Sequence, residues 1–406
     1  MAWRLASDPD VDAVVCAPGN PGMAEVGACR SVAPTDVEGI LQLVQDERID
    51  LTVVGPEAAL DAGVSDRLRS AGHPVVGPSR YAAALETSKV FAKDFMARAG
   101  IPTARFVVCR TEAEALDAVA GEMFGFPVVV KADGLAGGKG VVVAADQAEA
   151  EAAVRACMVD RQFGEAGTTL VVEECLTGPE VSFFVLSDGR RAIPLGSAQD
   201  HKRVFDDDRG PNTGGMGAFA PSRLMTPDLQ AEVMTTIVQP VLSGLASHGG
   251  YHGFLYVSLM LTPTGPKVIE FNVRFGDPET QVVWPLLTGP LARTLEAAAR
   301  GDLGDLSVAQ ADDACVGVVL AAPGYPAKPV TGDPIVGLDE AAAAGAIVFH
   351  AGTDRRAGDL VTAGGRVVTV VCRGRTHAEA MTRAYAAVQQ VHFDGMHYRS
   401  DIGRRA

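Results

Sequence analysis

The chain has 406 residues, room for roughly two to four domains, and its 47% hydrophobic and 21% charged residues are normal for a protein that buries real cores. Thirty-five Lys and Arg against fifty Asp and Glu give a net charge of −15. That excess argues against a binder of nucleic acid or anionic membranes, while leaving room for a local basic pocket around a small phosphate ligand.

In chain order, the first part alternates strand and helix. MAWRLASDPD has no apolar signal-peptide core and runs almost at once into the helix-like Ala2–Ala6. Segment 11–16 reads as a buried strand, followed by the turn-rich 17–22. Val37, Ile40, Leu41 and Val44 fall at i, i+3, i+4 and i+7, one helix face. Strands at 50–54 and 74–76 each end in a Gly-Pro loop. This alternation predicts a parallel α/β sheet whose ligand crevice lies beyond the carboxyl ends of its strands.

From Thr87 the texture changes. Thr87 and Ser88 can cap a helix with Phe91, Phe95 and Met96 on its apolar face, closing at Gly100. Strands are expected at 126–131 and 141–144, with the glycine-rich loop 132–140 between them. Thr111 with Glu114, and Asp146 with Glu149, form capping boxes that open two helices. Strands follow at 170–174 and 180–186, then an antiparallel hairpin of 254–261 and 267–272 around the turn 262–266. Strands at 315–321, 346–350 and 366–372 and a helix at 377–391 complete the chain. The longest apolar stretches, 253–261 and 316–322, fall well short of the ~20 residues that span a bilayer. Seven scattered cysteines (Cys16, Cys29, Cys109, Cys157, Cys175, Cys315 and Cys372) show no C-x-x-C spacing and fit reduced thiols. A cytoplasmic location is therefore expected.

Three stretches carry chemistry. The loop KADGLAGGKG offers close backbone approach and two lysines to phosphate, with Lys89 upstream. It is not a Walker A loop, because Asp133 replaces the first glycine, Gly140 replaces Ser/Thr, and a strand rather than a helix follows. Glu270 and Asn272 share one face of a strand, a donor pair suited to Mg²⁺, which keeps water and phosphate as its other ligands. Asp200, His201, Lys202 and Arg203, with the Asn212–Gly217 turn, could hold a phosphate or carboxylate, the turn presenting backbone donors. A charged surface loop is the competing explanation for that run.

Together these stretches resemble the ATP-grasp superfamily and, within it, the phosphoribosylamine–glycine ligase (glycinamide ribonucleotide synthetase) family. The resemblance rests on VVGPEAAL, KADGLAGGKGVVVA, QDHKRVFDDDRGPNTGGMGAF, VIEFNVRFGDPETQ, HAGT and YRSDIG, in the expected order over essentially the whole chain. It implies an α/β chain with an N-terminal parallel α/β domain (1–86), an ATP-grasp domain (87–311, its lid about 108–178) and a small C-terminal α+β domain (312–406). The implied reaction joins glycine to 5-phosphoribosylamine through glycyl phosphate, using ATP and Mg²⁺ or Mn²⁺, in a monomer or weak dimer.

By the same resemblance, Lys89 and Lys131 hold ATP phosphates beneath Gly134, Gly137, Gly138, Lys139 and Gly140. Glu173, Glu174 and Leu176 line the adenine and Glu180 the ribose. Glu270 and Asn272 bind the metal, and Arg274 stabilises the phosphoryl charge. Catalytic Asp200 and Asp277, with His201, Lys202, Arg203, Asn212, Thr213, Gly214, Gly215, Met216 and Gly217, surround glycine and the sugar phosphate. Pro18, Gly19 and Asn20 with Gly55, Pro56 and Glu57 form the N-terminal wall. Two departures are noted: Tyr256 and Ser258 stand where many ATP-grasp proteins place another metal carboxylate, and the family's opening strand and Gly-Arg-Glu-His loop are missing, which leaves the acceptor site expected to be incomplete. The alternatives are another ATP-grasp carboxylate–amine ligase, or an ATP-binding form without turnover.

Overall fold

The computed structural model describes residues 1–121, 123–134 and 140–406, and the strands of its first 86 residues are very short. β1 (Val15–Cys16) pairs in parallel with β2 (Ala28–Cys29), and β3 (Thr52–Val53) with β4 (Val75–Val76). Where one parallel sheet was expected, the described residues form two separate ribbons, one using a strand, β2, that the sequence pattern did not reveal. Pro18, Pro56 and Pro78 lie just beyond β1, β3 and β4 and remove the N–H groups that longer ladders would need. The helix Val37–Asp46 buries Ile40, Leu41 and Val44 as its spacing predicts, and Asp36 caps it, accepting from Gly39 N at 3.0 Å.

Ser88 separates the helices Arg80–Thr87 and Lys89–Ala99 and opens the next region. It caps the helix Lys89–Ala99, its Oγ accepting from Phe91 N at 3.1 Å, while Gly100 closes that helix in the left-handed region. A four-stranded antiparallel sheet follows, ordered β5 (Phe106–Cys109), β8 (Leu170–Glu174), β6 (Val128–Ala132), β7 (Val141–Ala144). Both capping boxes form. Thr111 Oγ1 accepts from Glu114 N and Asp146 Oδ1 from Glu149 N, while each glutamate reaches back to a backbone N–H ahead of its helix.

The largest element is an eight-stranded antiparallel sheet. Its order is β15 (Gly265–Asn272), β14 (His252–Thr262), β9 (Glu180–Asp188), β10 (Ala192–Asp200), β13 (Gly217–Ala220), β18 (Ala314–Ala321), β22 (Arg366–Gly374) and β19 (Ile347–His350). Along β9, Phe183 and Val185 enter one core and Phe184 and Leu186 another, so the strand is buried on both faces and reads as a continuous apolar run. The small pairs β11 (Arg203–Phe205) with β12 (Arg209–Asn212), β16 (Leu287–Thr288) with β17 (Ala309–Gln310) and β20 (Thr353–Arg356) with β21 (Asp359–Thr362) decorate it. The expected hairpin is present with a tighter turn: Thr262 pairs with Gly265, leaving only Pro263 and Thr264 between. The C-terminal helix runs His377–Val388, ending sooner than expected. Because β18, β22 and β19 extend the same sheet as β9 and β10, the third region is continuous with the second. Among the described residues, no helix is long and apolar enough to cross a membrane.

Candidate active site

One side of the site is built from strands of the four-stranded sheet. On the paired strands β6 and β8, Val129 stands opposite Glu173 and Lys131 opposite Val171, so Lys131 and Glu173 are diagonal neighbours, and Lys93 of the helix Lys89–Ala99 reaches Glu173 as well. Glu173 is ion-paired with both Lys131 and Lys93, all three side chains being buried. Burial lowers the Lys93 ammonium to about 8 despite Glu173 beside it. Lys93 Nζ also meets Thr103 Oγ1 at 2.8 Å, and Lys131 Nζ approaches Ile269 O at 3.4 Å. Asp133 ties the base of the glycine loop to the helix start, accepting from Ser88 Oγ at 2.9 Å and Val90 N at 3.1 Å. Gly134 and Gly140 flank that loop, and Ala132 N donates to Gly140 O at 2.8 Å. Gly137, Gly138 and Lys139 lie outside the described residues.

The carboxylates expected around the nucleotide base and sugar are engaged with cations. Besides Glu173, Glu174 binds Arg105 Nε at 2.7 Å and Lys267 at 3.3 Å, and Glu180 accepts from Lys202 Nζ at 2.9 Å. The Glu174 carboxyl is drawn down to about 2, these bonds outweighing its desolvation. Contacts from the three carboxylates to a base or ribose would thus compete with existing ion pairs, whereas the backbone at Cys175 and Leu176 follows the end of β8.

The strand β15 puts Glu270 and Asn272 on one face, opposite buried Phe271, with Ser258 and Tyr256 as their cross-strand partners on β14. Burial alone would raise the Glu270 carboxyl. Lys89, Lys202, Lys131 and Arg274 together hold it below its usual range, so it is ionised amid four cations. Tyr256 Oη and Ser182 Oγ are 2.8 Å apart, and Ser182 Oγ donates to buried Glu279 at 3.4 Å. Among the described residues no three His, Cys, Asp or Glu side chains converge as a metal cage. An ionised carboxylate and an amide oxygen from one rigid strand do fit a cation that keeps phosphate and water as its other ligands. Arg274, just beyond, donates to Glu57 Oε2 at 3.1 Å, Glu86 Oε1 at 2.9 Å and Phe275 O at 3.2 Å. Each of its nitrogens makes one bond, two of them to carboxylates, which fixes the guanidinium and leaves a second N–H on each of Nη1 and Nη2. Burial raises Glu86 to about 7 even with Arg274 beside it.

The run 200–203, expected to act as one cluster, is split by the chain's alternation. Asp200 and Lys202 face the site: burial, with Glu279 and Glu180 nearby, pushes Asp200 up to about 7 against the pull of Lys202. His201 points the other way, buried against Phe219 at 6.0 Å between ring centres. Arg203 is turned into its own hairpin, donating to Gly210 O at 2.7 Å. The structure thus does not bring His201 and Arg203 onto the face that Asp200 and Lys202 share, because successive side chains on an extended segment take opposite faces. Behind them, buried Arg399 of YRSDIG pairs with Asp401 at 2.7 Å and Asp208 at 2.9 Å and donates to Arg203 O at 3.0 Å. Desolvation, with Arg399 nearby, lowers His201 to about 4.

In the 212–217 turn, the backbone donors of 213–216 are already engaged. Thr213 N donates to Lys202 O, Gly214 N to Tyr325 Oη, Gly215 N to Thr213 Oγ1 and Met216 N to His201 O. Asn212 pairs with Arg203 across β12–β11, Met216 is fully buried, and Gly217 begins β13. The Gly214 and Gly215 carbonyls and the Asp277 carboxylate accept from Arg366 of β22.

Of the N-terminal wall, Gly55–Glu57 is brought in by the Glu57–Arg274 bond. The Pro18–Asn20 loop packs on the third region, Asn20 Nδ2 donating to His350 O at 2.9 Å. Sequence reasoning missed Lys93, Glu86 and Arg366. Lys93 was detectable as a charge on the buried face, three residues before Met96. Arg366 was not, because its partners Asp277 and Gly214 lie 89 and 152 residues away.

Family models match this chain as "Phosphoribosylglycinamide synthetase" N domain over residues 1–86, ATP-grasp (A) domain over 87–280 and C domain over 315–405. It is 50% identical over 409 residues to the phosphoribosylamine–glycine ligase of Phenylobacterium zucineum, covering 100% of this chain and 96% of the relative. The Vibrio cholerae enzyme of the same name is 47% identical, with 100% and 95% covered. A crystal structure of phosphoribosylamine–glycine ligase from Thermotoga maritima superposes with a TM-score of 0.86 at 34% identity, covering 98% of this chain and 96% of the other. A biotin carboxylase domain from Hydrogenobacter thermophilus shares the fold at TM-score 0.72 and 18% identity, with 98% and 89% covered. The chain belongs to the phosphoribosylglycinamide synthetase family.

Proposed function

We propose that this chain is a ligase that joins glycine to 5-phosphoribosylamine at the expense of ATP, giving glycinamide ribonucleotide, ADP and phosphate, a step of de novo purine biosynthesis. The observation that carries this reading is the shared face of Glu270 and Asn272 on β15, with the Glu270 carboxyl held below its usual range by the charges of Lys89, Lys202, Lys131 and Arg274, which come from several parts of the chain. In the first step a glycine carboxylate oxygen bonds the γ-phosphorus of ATP, the bond to the β-phosphate bridge breaks, and glycyl phosphate and ADP result. The amine then attacks the acyl carbon, the carbon–oxygen bond to phosphate breaks, phosphate leaves and the amine loses a proton.

Lys89 and Lys131 hold the ATP phosphates, Glu173 and Lys93 keep Lys131 aligned, and the backbone from Glu174 to Leu176 reads the adenine edge. Glu270 and Asn272 would hold a divalent cation, Mg²⁺ or Mn²⁺, which offsets charge on the phosphates during transfer. Arg274, anchored by Glu57 and Glu86, presents a fixed cation to the transferred group. Asp200, whose carboxyl is raised to about 7, takes the proton from the amine, while Lys202 and Asp277 face the two acceptor substrates. The domain borders we propose are 86/87 and about 311/312, in a cytoplasmic monomer or weak dimer. The test is ADP formation with Mg²⁺-ATP and glycine, with and without 5-phosphoribosylamine generated in situ. ADP that requires both substrates supports the ligase; a strong preference for another carboxylic acid, or ATP binding without ADP, overturns it.

A further inference from the structure

We propose that Arg366 is a positioning residue for the acceptor side of the site, fixing the Gly214–Gly215 turn against Asp277; the proposal rests on the ligase reading above. Arg366 opens β22 directly after Gly364 and Gly365. Its Nη1 donates to Gly214 O at 2.7 Å and Asp277 O at 2.9 Å, and its Nη2 to Asp277 Oδ2 at 3.0 Å. A planar guanidinium meets acceptors in a rigid fork that a lysine ammonium cannot reproduce.

The turn is built to receive that fork. A Cβ on Gly214 would stand 3.0 Å from the Arg366 Cζ, and one on Gly215, whose φ is +113°, would strike the Pro278 ring. The two glycines are therefore held between Arg366 and Pro278, with their amides already donated to Tyr325 and Thr213. What the turn controls is its neighbours. Thr213 donates from N and Oγ1 to Lys202 O at 2.7 and 2.8 Å, and Asp277 is the other end of the Arg366 contact. Behind Arg366, its own carbonyl accepts from Gly352 N at 2.8 Å within HAGT, whose His350 carbonyl holds Asn20. One arginine thus joins the Asn20 loop, the Lys202 strand end and Asp277, three groups that the sequence separates widely. Displacing such groups by ~1 Å is enough to cost on the order of 10²-fold in rate.

The experiment compares the full-length chain with Arg366→Gln and Arg366→Lys. KM for ATP, glycine and 5-phosphoribosylamine is measured separately, alongside hydrogen exchange of the amides at 213–216. The expected result is a rise of about tenfold or more in KM for an acceptor substrate, a lower kcat, and an ATP KM within about twofold. Exchange at 213–216 should quicken by about tenfold while β14 and β15 are unchanged, and Lys should not restore the wild-type values. Should Arg366→Gln not fold, Tyr325→Phe loosens the same turn from its other side and should shift the same KM in the same direction, less far. Unchanged exchange, unchanged acceptor KM values, or full rescue by Lys would each overturn the proposal. No turnover in the wild-type chain would overturn the ligase reading instead, and the exchange measurement would still decide whether Arg366 holds the turn.

Discussion

The two sides of the proposed site are built by different means. On the nucleotide side, Lys131, Glu173 and Lys93 come from adjacent strands and one helix, are buried, and neutralise one another through side chains alone. On the acceptor side, Lys202, Asp277 and the Gly214–Gly215 turn are more exposed and are held mostly through main-chain carbonyls, Lys202 by Thr213 and the turn and Asp277 by Arg366 from much further along the chain. The first is rigid because its sheet is rigid. The second depends on long-range contacts, and changes in it should alter affinity for the acceptor substrates before they alter stability.

The sharpest way to break this contrast is Lys131→Ala. If Lys131 is a preorganised donor to phosphate, turnover falls by roughly 10²–10³, and Glu173 remains neutralised by Lys93 so the fold survives. Steady-state ADP release would show it, and near-wild-type turnover would mean that the nucleotide side has been misplaced.

The next largest effect lies beneath the acceptor side. His201 has a folded pKa of about 4 against an ordinary value of 6.5, because burial penalises its charged form. Between those values the unfolded chain binds more protons than the folded one, so stability is complete above about pH 6.5 and falls as the pH drops toward 4. The full window is worth about 3 kcal/mol. Urea unfolding of the wild type and His201→Asn at pH 7 and pH 4.5 should show the wild type losing more on acidification; identical losses would contradict a neutral buried imidazole. Asp401 and Asp208, held down by Arg399, keep their ion pairs through this range.

Legibility in the sequence follows the same division. The capping boxes at Thr111 and Asp146, the helix face of Ile40, Leu41 and Val44, and the shared face of Glu270 and Asn272 are all local patterns, and each is present in the structure. The motif strings led to the right family because they keep residue types in order along the chain. What they could not give is which neighbours share a face. Asp200-His201-Lys202-Arg203 reads as one cluster, yet alternation sends His201 toward Phe219 and Arg203 toward Gly210. Likewise the glycines at 214 and 215 suggest free amides, while the structure commits them to Tyr325 and Thr213. Such pairings are set by the sheet order β10-β13-β18-β22, which no short window of sequence contains.

Glu270→Gln tests the strand where the two sides meet. It removes the charge that Lys89, Lys131, Lys202 and Arg274 surround while keeping an oxygen donor beside Asn272. The expected outcome is an increase of about tenfold in the Mg²⁺ concentration needed for half-maximal rate, the size of loss seen when a metal site is perturbed without being abolished. An unchanged Mg²⁺ titration would remove Glu270 from the metal's ligands.

The smallest effect serves as the control for the whole contrast. Asp146 caps the helix Gln147–Met158, its Oδ1 accepting from Glu149 N at 2.9 Å, on the same four-stranded sheet layer as Lys131 but outside the ion-paired triad. Asp146→Ala should cost about 1 kcal/mol in unfolding free energy. Because β6 and β8 are cross-linked by their own ladder and by the Lys131–Glu173 pair, that loss should not reach the ATP KM. If it does, the nucleotide side is not the rigid half of the molecule, and its geometry depends on the helix layer as much as the acceptor side depends on Arg366.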